Sequence, residues 1–315
     1  MQTFDQQTID GSGAFLVGEL ERLDQTLNLP LVGYTWTRDI QLREDVSIAD
    51  DISSWTNTSF GAAGTGANPN GKNWVGKDST AIAGVNVDIN KEGNPLSLWG
   101  MELGWTVIEL AAAQQVGRPI DTQKYDGMQL KWNMDADEQV YIGDESLNIK
   151  GLANLSGVTV TNAVEPWNAS TSTPDKIRDS INTLLTNAWK ASAYSVVPTD
   201  LLLPPEQYAY LSTILVSSAG NQSLLTYLST NTIAYHQNGV PLNIRAVKWL
   251  KGRGVGGTDR MVAYTNDKKY VRFPMVPLRS IPVQYRGLYQ LTTYYGKLGA
   301  VEPVYRKTLA YMDGI

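Results

Sequence analysis

The chain has 315 residues, 42% hydrophobic and 18% charged, so it can bury a sizeable core in one complex domain or two. A net charge of −5, with no run of basic residues, argues against phosphate-tracking nucleic-acid binding as the main activity. The absence of cysteine excludes disulfides, thiolate catalysis and sulfur-rich metal sites. No stretch reaches the roughly 20 apolar residues of a membrane span, and the beginning, MQTFDQQTIDGSG, lacks the regions of a signal peptide. We therefore expect a soluble protein that is not exported by that route.

The first 60 residues are predicted to form an arm followed by extended chain. A short amphipathic helix is indicated before Pro30 by the helical spacing of Leu16, Leu20, Leu23 and Leu27. From Leu31 to Ile52 the pattern is extended, with Val46 and Ile48 alternating against polar neighbours, and it continues to Phe60. The sequence therefore predicts a strand over this region.

A long two-stranded hairpin is predicted next. Residues 61–79, GAAGTGANPNGKNWVGKDS, contain five glycines and a proline and cannot form a core. Alternation resumes after them, with Val85, Val87 and Ile89 on one face, so the glycine-rich segment is the tip of a hairpin. Because a two-stranded hairpin is marginally stable alone, we expect it to lie on a neighbouring subunit; a surface loop without a partner is the alternative.

Two consecutive helices are predicted after residue 101. The first covers Glu102 to Val116 and is ended by Gly117. The second covers residues 119–143 and is about 33 Å long, with Asp121 as its cap and Gly143 as its left-handed C-terminal residue. Gly127 marks a bend or a close crossing. The predicted buried face of this spine helix contains Tyr125, Met128, Trp132, Ala136 and Val140.

The second half of the chain reads as helices followed by strands. Residues 143–162 are turn-rich, and 165–173 form a polar linker at a subdomain boundary. Thr173 caps a helix that has Pro174 in its first turn and a buried face of Ile177, Ile181, Leu184, Leu185 and Ala188. Further helices are predicted at 205–216 and 221–234, and strands at Leu242–Leu250, Arg260–Thr265, Tyr270–Met275 and from Ile281 onward. This order predicts an α+β fold.

No pattern indicates an active site or a cofactor. Residues 252–257, GRGVGG, match the spacing of a dinucleotide-binding loop, but a strand pattern follows where a helix is required, so we interpret them as a hairpin loop. The single histidine, His236, lies in a turn-like segment without a nucleophile motif. The acidic groups Asp50–Asp51 and Asp135, Asp137 and Glu138 are interpreted as solvated charge.

The order of these parts resembles the major capsid protein of tailed bacteriophages, which has the HK97-like fold. Four segments carry the resemblance, and in chain order they are LGWTVIELAAAQQVGRPIDTQK, EQVYIGDESLNIKGLANLSGVT, GGTDRMVAYTND and RKTLAYMDGI. The resemblance implies an arm (1–52), an extended loop (53–100), a peripheral domain with the spine helix (101–173), an axial domain (174–275) and strands that return to the peripheral domain (276–315).

The resemblance also implies partners. Copies of the chain would form pentamers and hexamers of an icosahedral shell, assembled in the bacterial cytoplasm and completed as a virion with a portal. Scaffolding or decoration proteins, and non-specific contact with packaged double-stranded DNA, are further expectations. The extended loop would contact a neighbour through Lys72, Trp74 and Lys77; covalent cross-linking through a lysine occurs in one variant of the family. The glycine-rich loop with Arg253, Gly254, Gly256 and Gly257 would lie near the capsomer axis.

Two other functions remain open from the sequence alone. The same fold forms the shells of bacterial nanocompartments, which hold enzyme cargo. A glycan-active enzyme or adhesin built on the aromatic-rich strands would need clustered carboxylates in a cleft. The sequence favours the phage shell and predicts no catalytic residues, cofactor or metal.

Overall fold

The computed structural model describes residues 32–62, 77, 85–116, 120–217 and 220–315. The helices are α1 (Trp36–Asp39), α2 (Val107–Val116), α3 (Ile120–Tyr141), α4 (Pro174–Ala191), α5 (Pro205–Thr213), α6 (Leu224–Thr230) and α7 (Ile233–Asn238). The first eight strands are β1 (Gln41–Arg43), β2 (Ile52–Ala62), β3 (Val85–Pro95), β4 (Ser97–Thr106), β5 (Thr159–Asn162), β6 (Asp200–Leu203), β7 (Leu215–Ser217) and β8 (Gly220–Ser223). The remaining strands are β9 (Asn243–Ala246), β10 (Arg260–Tyr264), β11 (Val271–Ser280), β12 (Gln284–Arg286), β13 (Tyr289–Leu298), β14 (Glu302–Pro303) and β15 (Ala310–Asp313).

A six-stranded sheet supports the spine helix α3. Its order is β1-β11-β13-β12, with β14 paired to β11 and β4 paired to β13. Trp132 of α3 meets Trp99 of β4 edge to face, with ring centroids 5.1 Å apart. A side chain at Gly296 of β13 would place its Cβ 2.8 Å from the Trp132 ring, so glycine is what allows the helix this close to the sheet.

A five-stranded sheet separates the two main hydrophobic cores. Its order is β5-β15-β10-β6-β9. Because side chains alternate along a strand, Val262 and Tyr264 of β10 join the core that contains α3, whereas Met261 and Ala263 join the core that contains α4. The last strand, β15, lies between β5 and β10 in this sheet, and its side chains alternate between the two cores, with Tyr311 in one and Ala310 and Met312 in the other.

The two long helices follow their sequence signals closely. Thr173 accepts a hydrogen bond from the backbone N–H of Lys176, and the predicted apolar face of α4 is fully buried. In α3 four of the five predicted residues are buried, and Tyr125 is the exception, because it packs on the partly buried Tyr294 near the edge of the core. Gly143 has the predicted left-handed φ of +79°, and no atom lies within 4 Å of a Cβ at Gly127, so Gly127 is not a close crossing. Asp121 is the second residue of the helix and not its cap.

Several predicted element boundaries are wrong. The predicted strand from Leu31 to Ile52 instead contains the helical turn α1, the short strand β1 and a loop; the predicted amphipathic helix before Pro30 lies outside the described residues. Residues 102–106 are the end of β4, so the first helix begins at Val107. Leu103 and Trp105 alternate inward there, and pairing with β13 over ten residues decides the strand conformation. The predicted helices at 205–216 and 221–234 are the shorter α5 and α6 with the small hairpin β7–β8 between them, and α7 follows.

Candidate assembly interface

In the ribbon formed by β2 and β3, most residues of β3 are exposed. Eleven antiparallel pairs run from Ile52 opposite Pro95 to Ala62 opposite Val85. Val85, Val87 and Ile89 share one face and are 64%, 53% and 64% exposed. An apolar row of this kind on a marginally stable ribbon is typical of a surface that another chain covers.

A buried carboxylate fixes the base of the ribbon to the body of the subunit. Glu302 is fully buried and accepts hydrogen bonds from Ser53 Oγ, from Arg43 Nη1 at 3.2 Å and from Arg272 Nε at 2.7 Å. Arg43 also donates to Asp45 at 2.7 Å, a bond that lowers the pKa of the Asp45 carboxyl. Because two guanidinium groups and a hydroxyl compensate the desolvated charge, the cluster stabilises the joint between β1, β2 and β14.

Outside that cluster, two ion pairs hold the same joint. Arg306 binds Glu92 of β3 through two nitrogens, the shorter N–O distance being 2.6 Å. Lys297 of β13 donates to the backbone oxygen of Asp50 at 2.7 Å and to the Asp51 carboxylate at 3.1 Å. The ribbon therefore leaves the body from a charged base, whereas its outer part has an apolar face.

Two buried carboxylates hold the amino-terminal segment against the spine helix. Asp137 of α3 accepts from the backbone N–H groups of Thr35 and Trp36 at 2.7 and 3.0 Å and from the Trp249 indole at 2.6 Å. Asp39 accepts from the Tyr141 hydroxyl at 2.5 Å, and burial raises the pKa of Tyr141 so that this hydroxyl keeps its proton. The prediction that Asp137 is solvated is wrong, because its side chain is 1% exposed and accepts hydrogen bonds from the backbone N–H groups at the start of α1.

The glycine-rich loop is an exposed, irregular turn between strands. Gly256 and Gly257 have φ of +71° and +78°, values that favour glycine. The Gly254 N–H donates to Thr258 O at 2.7 Å, and the Val255 N–H donates to Asp313 at 3.0 Å. Since β10 and not a helix follows, no helix N-terminus is available for a phosphate, as the sequence predicted.

The described residues contain no arrangement typical of an active site. His236 is exposed on α7, a short helix and not the predicted turn. In the described part of the chain no group of three or more acidic or histidine side chains could hold a metal ion. A search of the described helices found none with the length and apolar character needed to cross a membrane.

A model of the major capsid protein family matches residues 71–315. The chain belongs to this family. Its role is that of a shell subunit of a phage head, which is the function that the sequence resemblance predicted. A comparison with curated proteins found no match.

Solved structures with a similar fold include three of particular use for this capsid subunit. The capsid of Myoviridae phage XM1 is 18% identical with a TM-score of 0.77, covering 95% of this chain and 98% of that one. Mycobacterium phage Adephagia is 10% identical with a TM-score of 0.61, covering 99% and 98%. A virus-like particle from Pyrococcus furiosus is 12% identical with a TM-score of 0.52, covering 88% and 91%. The HK97-like fold predicted from the sequence is thereby confirmed.

The predicted contact residues of the capsid subunit are spread over two regions. Lys72 and Trp74 lie outside the described residues, and Lys77 is exposed in a turn. Arg253 lies beside the carboxyl-terminal end of the spine helix, where it lines one cavity with Glu138. The contacts of these residues with other copies stay predictions.

The sequence patterns did not identify Glu302, Asp39 and Asp137 as buried anchoring residues. Glu302 had one usable signal in the sequence, because it is a lone carboxylate in the apolar stretch LGAVEPV. Asp137 stands next to the buried Ala136 and four residues before Tyr141, which places it at the margin of the buried face.

Proposed function

We propose that copies of this chain associate into pentamers and hexamers that close an icosahedral shell around a packaged double-stranded DNA genome. The observation that supports this is the ribbon β2–β3, anchored at its base and apolar along one exposed face. In a shell, the row of Val85, Val87 and Ile89 would lie on a neighbouring copy. Burying these three side chains on one neighbouring copy would contribute several kcal/mol in total, at about 25 cal/mol per Å² of apolar area.

In this proposal, each segment expected from the resemblance has its own structural role in the shell. Residues 53–100 form the interlocking loop, 101–173 and 276–315 the peripheral domain, and 174–275 the axial domain. The glycine-rich loop at 252–257 lies near the capsomer axis in this proposal. Support comes from the way α3 packs on the six-stranded sheet, while α4 to α7 pack on the other face of the five-stranded sheet.

The proposed partners are those of a phage head assembled in the bacterial cytoplasm. They are a portal, with or without scaffolding and decoration proteins, and DNA held by loose, non-specific contact. Cross-linking through Lys72 or Lys77 is the least supported of these interactions, since lysines in such loops also serve solubility. We further propose that the subunit has no catalytic activity of its own, and a reproducible turnover abolished by one side-chain change would contradict that.

A nanocompartment shell is the alternative built on the same fold. It is less supported, because the family model that matches the chain is that of a major capsid protein, and the match to a phage capsid, that of XM1, has a TM-score of 0.77. A nanocompartment should close when expressed alone and co-purify with an enzyme. A phage head should instead depend on its portal to package DNA.

Electron microscopy of the purified protein tests the proposal most directly. We expect closed shells of uniform size from the parent chain. The variant Trp74→Ala should leave the unassembled subunit folded by circular dichroism and should reduce shell closure or heat resistance, because a tryptophan at the loop tip is a suitable interface anchor. Shells of unchanged stability would remove Trp74 from the interface, and an unfolded subunit would place the tip in the monomer core.

A further inference from the structure

A hairpin at one end of the six-stranded sheet has the composition of a protein interface. It runs from Arg279 to Tyr289, through the end of β11, strand β12 and the turn into β13, and every residue in it is exposed. Its sequence, RSIPVQYRGLY, contains two arginines and two tyrosines but no lysine and no carboxylate. Arginine and tyrosine are enriched at protein interfaces, whereas lysine, aspartate and glutamate are depleted. We call this segment the basic hairpin.

The side chains of the basic hairpin are without partners in the subunit. Tyr285, Leu288 and Tyr289 are 75%, 61% and 54% exposed. Within the described part of the chain, the guanidinium groups of Arg279 and Arg286 make no hydrogen bond or ion pair. Adjacent exposed apolar side chains beside unpaired charges are typical of a surface that another protein covers.

A groove of opposite charge lies near the other end of the spine helix. It measures about 610 Å³ and is lined by the end of α3, the turn that follows it and the start of β4. Leu98 and Leu147 give it apolar surface and are 68% and 49% exposed. Among the described residues, the charged side chains that line it are Asp135, Glu138, Asp144, Glu145 and Arg253. We call it the acidic groove.

Two carboxylates of the acidic groove are available to a cation. Asp135 and Asp144 already accept hydrogen bonds from neighbouring side chains of the subunit. The carboxylates of Glu138 and Glu145 have no such partner among the described residues, and both residues are exposed. The unpaired guanidinium groups of the basic hairpin therefore match unpaired carboxylates in the groove, and both surfaces also present exposed leucine. Charge-assisted hydrogen bonds between such groups are stronger than neutral ones and give a contact its specificity.

The two surfaces of one subunit lie too far apart to meet. The basic hairpin leads into Gln290, which lines one cavity with Thr122 near the start of α3. The acidic groove begins at Asp135 and Glu138 near the end of the same helix. At 1.5 Å per residue, the helix extends about 24 Å from Thr122 to Glu138. The hairpin can therefore fill only the groove of another copy.

We propose that the basic hairpin of one copy docks in the acidic groove of a neighbouring copy. The proposal rests on the proposed shell function, which supplies the second copy. A head-to-tail contact of this kind, repeated with the same rotation, closes a ring of subunits. The contact would therefore hold neighbouring subunits together within pentamers and hexamers.

Disulfide trapping of unassembled subunits tests the contact independently of shell formation. The chain has no cysteine, so Leu288→Cys in the hairpin and Leu147→Cys in the groove each introduce a single thiol at an exposed position. Under oxidation, a mixture of the two variants should form linked dimers at least about tenfold faster than either variant alone, because docking raises the effective concentration of the thiols. Val164→Cys, whose parent side chain is 94% exposed and lies in neither surface, is the matched control. Equal trapping of Leu288→Cys by the Leu147 and Val164 variants would overturn the proposal.

Charge reversal tests the chemistry of the contact. Arg279→Glu with Arg286→Glu in the hairpin variant should slow trapping about tenfold, and so should Glu138→Arg with Glu145→Arg in the groove variant. With both reversals in the mixture, opposite charges face each other again and trapping should return to near the parent rate. Lys190→Glu, a reversal at an exposed position of α4, should leave the rate unchanged. No recovery in the doubly reversed mixture would refute the pairing of the two surfaces.

A variant with both cysteines, Leu147→Cys and Leu288→Cys, connects the contact to the shell. Each copy supplies one hairpin and one groove, so oxidised shells should contain linked subunits up to pentamers and hexamers. Linkage that stops at dimers would indicate a reciprocal pair and would contradict the head-to-tail contact. Closed parent shells without trapping in either experiment would refute the contact and leave the proposed function intact. Trapping in solution by a parent chain that forms no shells would support the contact and refute the proposed function.

Discussion

Individual residues decide how closely the spine helix approaches the six-stranded sheet and how the amino-terminal segment and the ribbon are attached. Gly296 leaves room for the ring of Trp132. Asp137 accepts a hydrogen bond from the backbone of α1, and Glu302 accepts hydrogen bonds from side chains of three segments. Each of these residues connects elements far apart in sequence, so their removal should affect the free energy of unfolding more than surface substitutions do.

Gly296→Ala is expected to destabilise the subunit by about 1–3 kcal/mol, the usual cost of overpacking. The new Cβ would lie 2.8 Å from the Trp132 ring and 2.9 Å from the backbone oxygen of Val276. Gly100→Ala on the paired strand is the control, because its nearest atom is 3.6 Å away. Urea unfolding of the unassembled subunit measures both, and equal losses would refute the packing argument.

Glu302→Gln should destabilise the subunit by about 1–3 kcal/mol, because it removes the charge that compensates Arg43 and Arg272. The estimate is below that for a fully buried pair, since the two arginine side chains are 17% and 24% exposed. Glu206→Gln breaks the exposed pair with Lys251 and should change the stability much less, because solvent screens that pair. The comparison is made by chemical denaturation, and a Glu302 variant as stable as the Glu206 variant would contradict it.

Stability should fall as the pH rises above 10. Burial raises the pKa of Tyr141 above its ordinary value of 10.0, with a further contribution from Asp39, and burial also raises the pKa of Tyr264 and Tyr311. Above pH 10 the unfolded chain loses these phenolic protons while the folded chain keeps them, so the free energy of unfolding decreases with pH. Each buried tyrosine contributes a slope of about 1.4 kcal/mol per pH unit there.

Tyr141→Phe isolates one of these contributions. Between pH 10 and pH 11.5 its unfolding free energy should fall less steeply than that of the parent. Tyr194→Phe, at a position that is 59% exposed, should keep the parent slope. Identical slopes in all three proteins, measured by urea unfolding, would show that Tyr141 titrates normally.

At the scale of elements, the ribbon and the spine helix show what alternation patterns do and do not reveal. The alternation of Val85, Val87 and Ile89 correctly predicts β3, because a two-residue period identifies a strand whether or not its apolar face is covered in the subunit. The helical spacing from Leu103 to Leu110 misleads, because Leu103 faces the core from a strand and the true helix begins only at Val107. The local pattern of a segment does not show which distant strand will pair with that segment.

Val87→Asp should leave the unassembled subunit folded and reduce shell formation. The side chain is 53% exposed in the subunit, so a charge there remains solvated until another copy covers it. Asn86→Asp adds the same charge on the opposite face of β3 and should affect shells much less. Particle counts by electron microscopy, with circular dichroism of the subunits, make the comparison; equal defects would point to net charge and not to the apolar face.

At the scale of the whole molecule, an acidic protein encloses an acidic polymer in the proposed function. With a net charge of −5 and no basic run, the unassembled subunit should bind duplex DNA with a dissociation constant no tighter than about 10⁻⁴ M at physiological salt. Fluorescence anisotropy at two salt concentrations tests this. Tight, steeply salt-dependent binding would imply a basic surface on the subunit that its composition does not suggest.

The sequence by itself determined the fold class, the long ribbon, the helices α3 and α4 with Gly143 at the end of α3 and Thr173 as the N-cap of α4, and, through the resemblance, the capsid family. These features depend on hydrophobic periodicity, capping residues and composition, which are signals that can be recognised from residues close together in the sequence. Only the tertiary structure decided that residues 102–106 are a strand, that α1 is a helical turn, and that Asp137 and Glu302 are buried anchors. The reason is that the paired strand β13 and the donors Thr35, Trp249, Arg43 and Arg272 lie from 30 to 259 residues away along the chain.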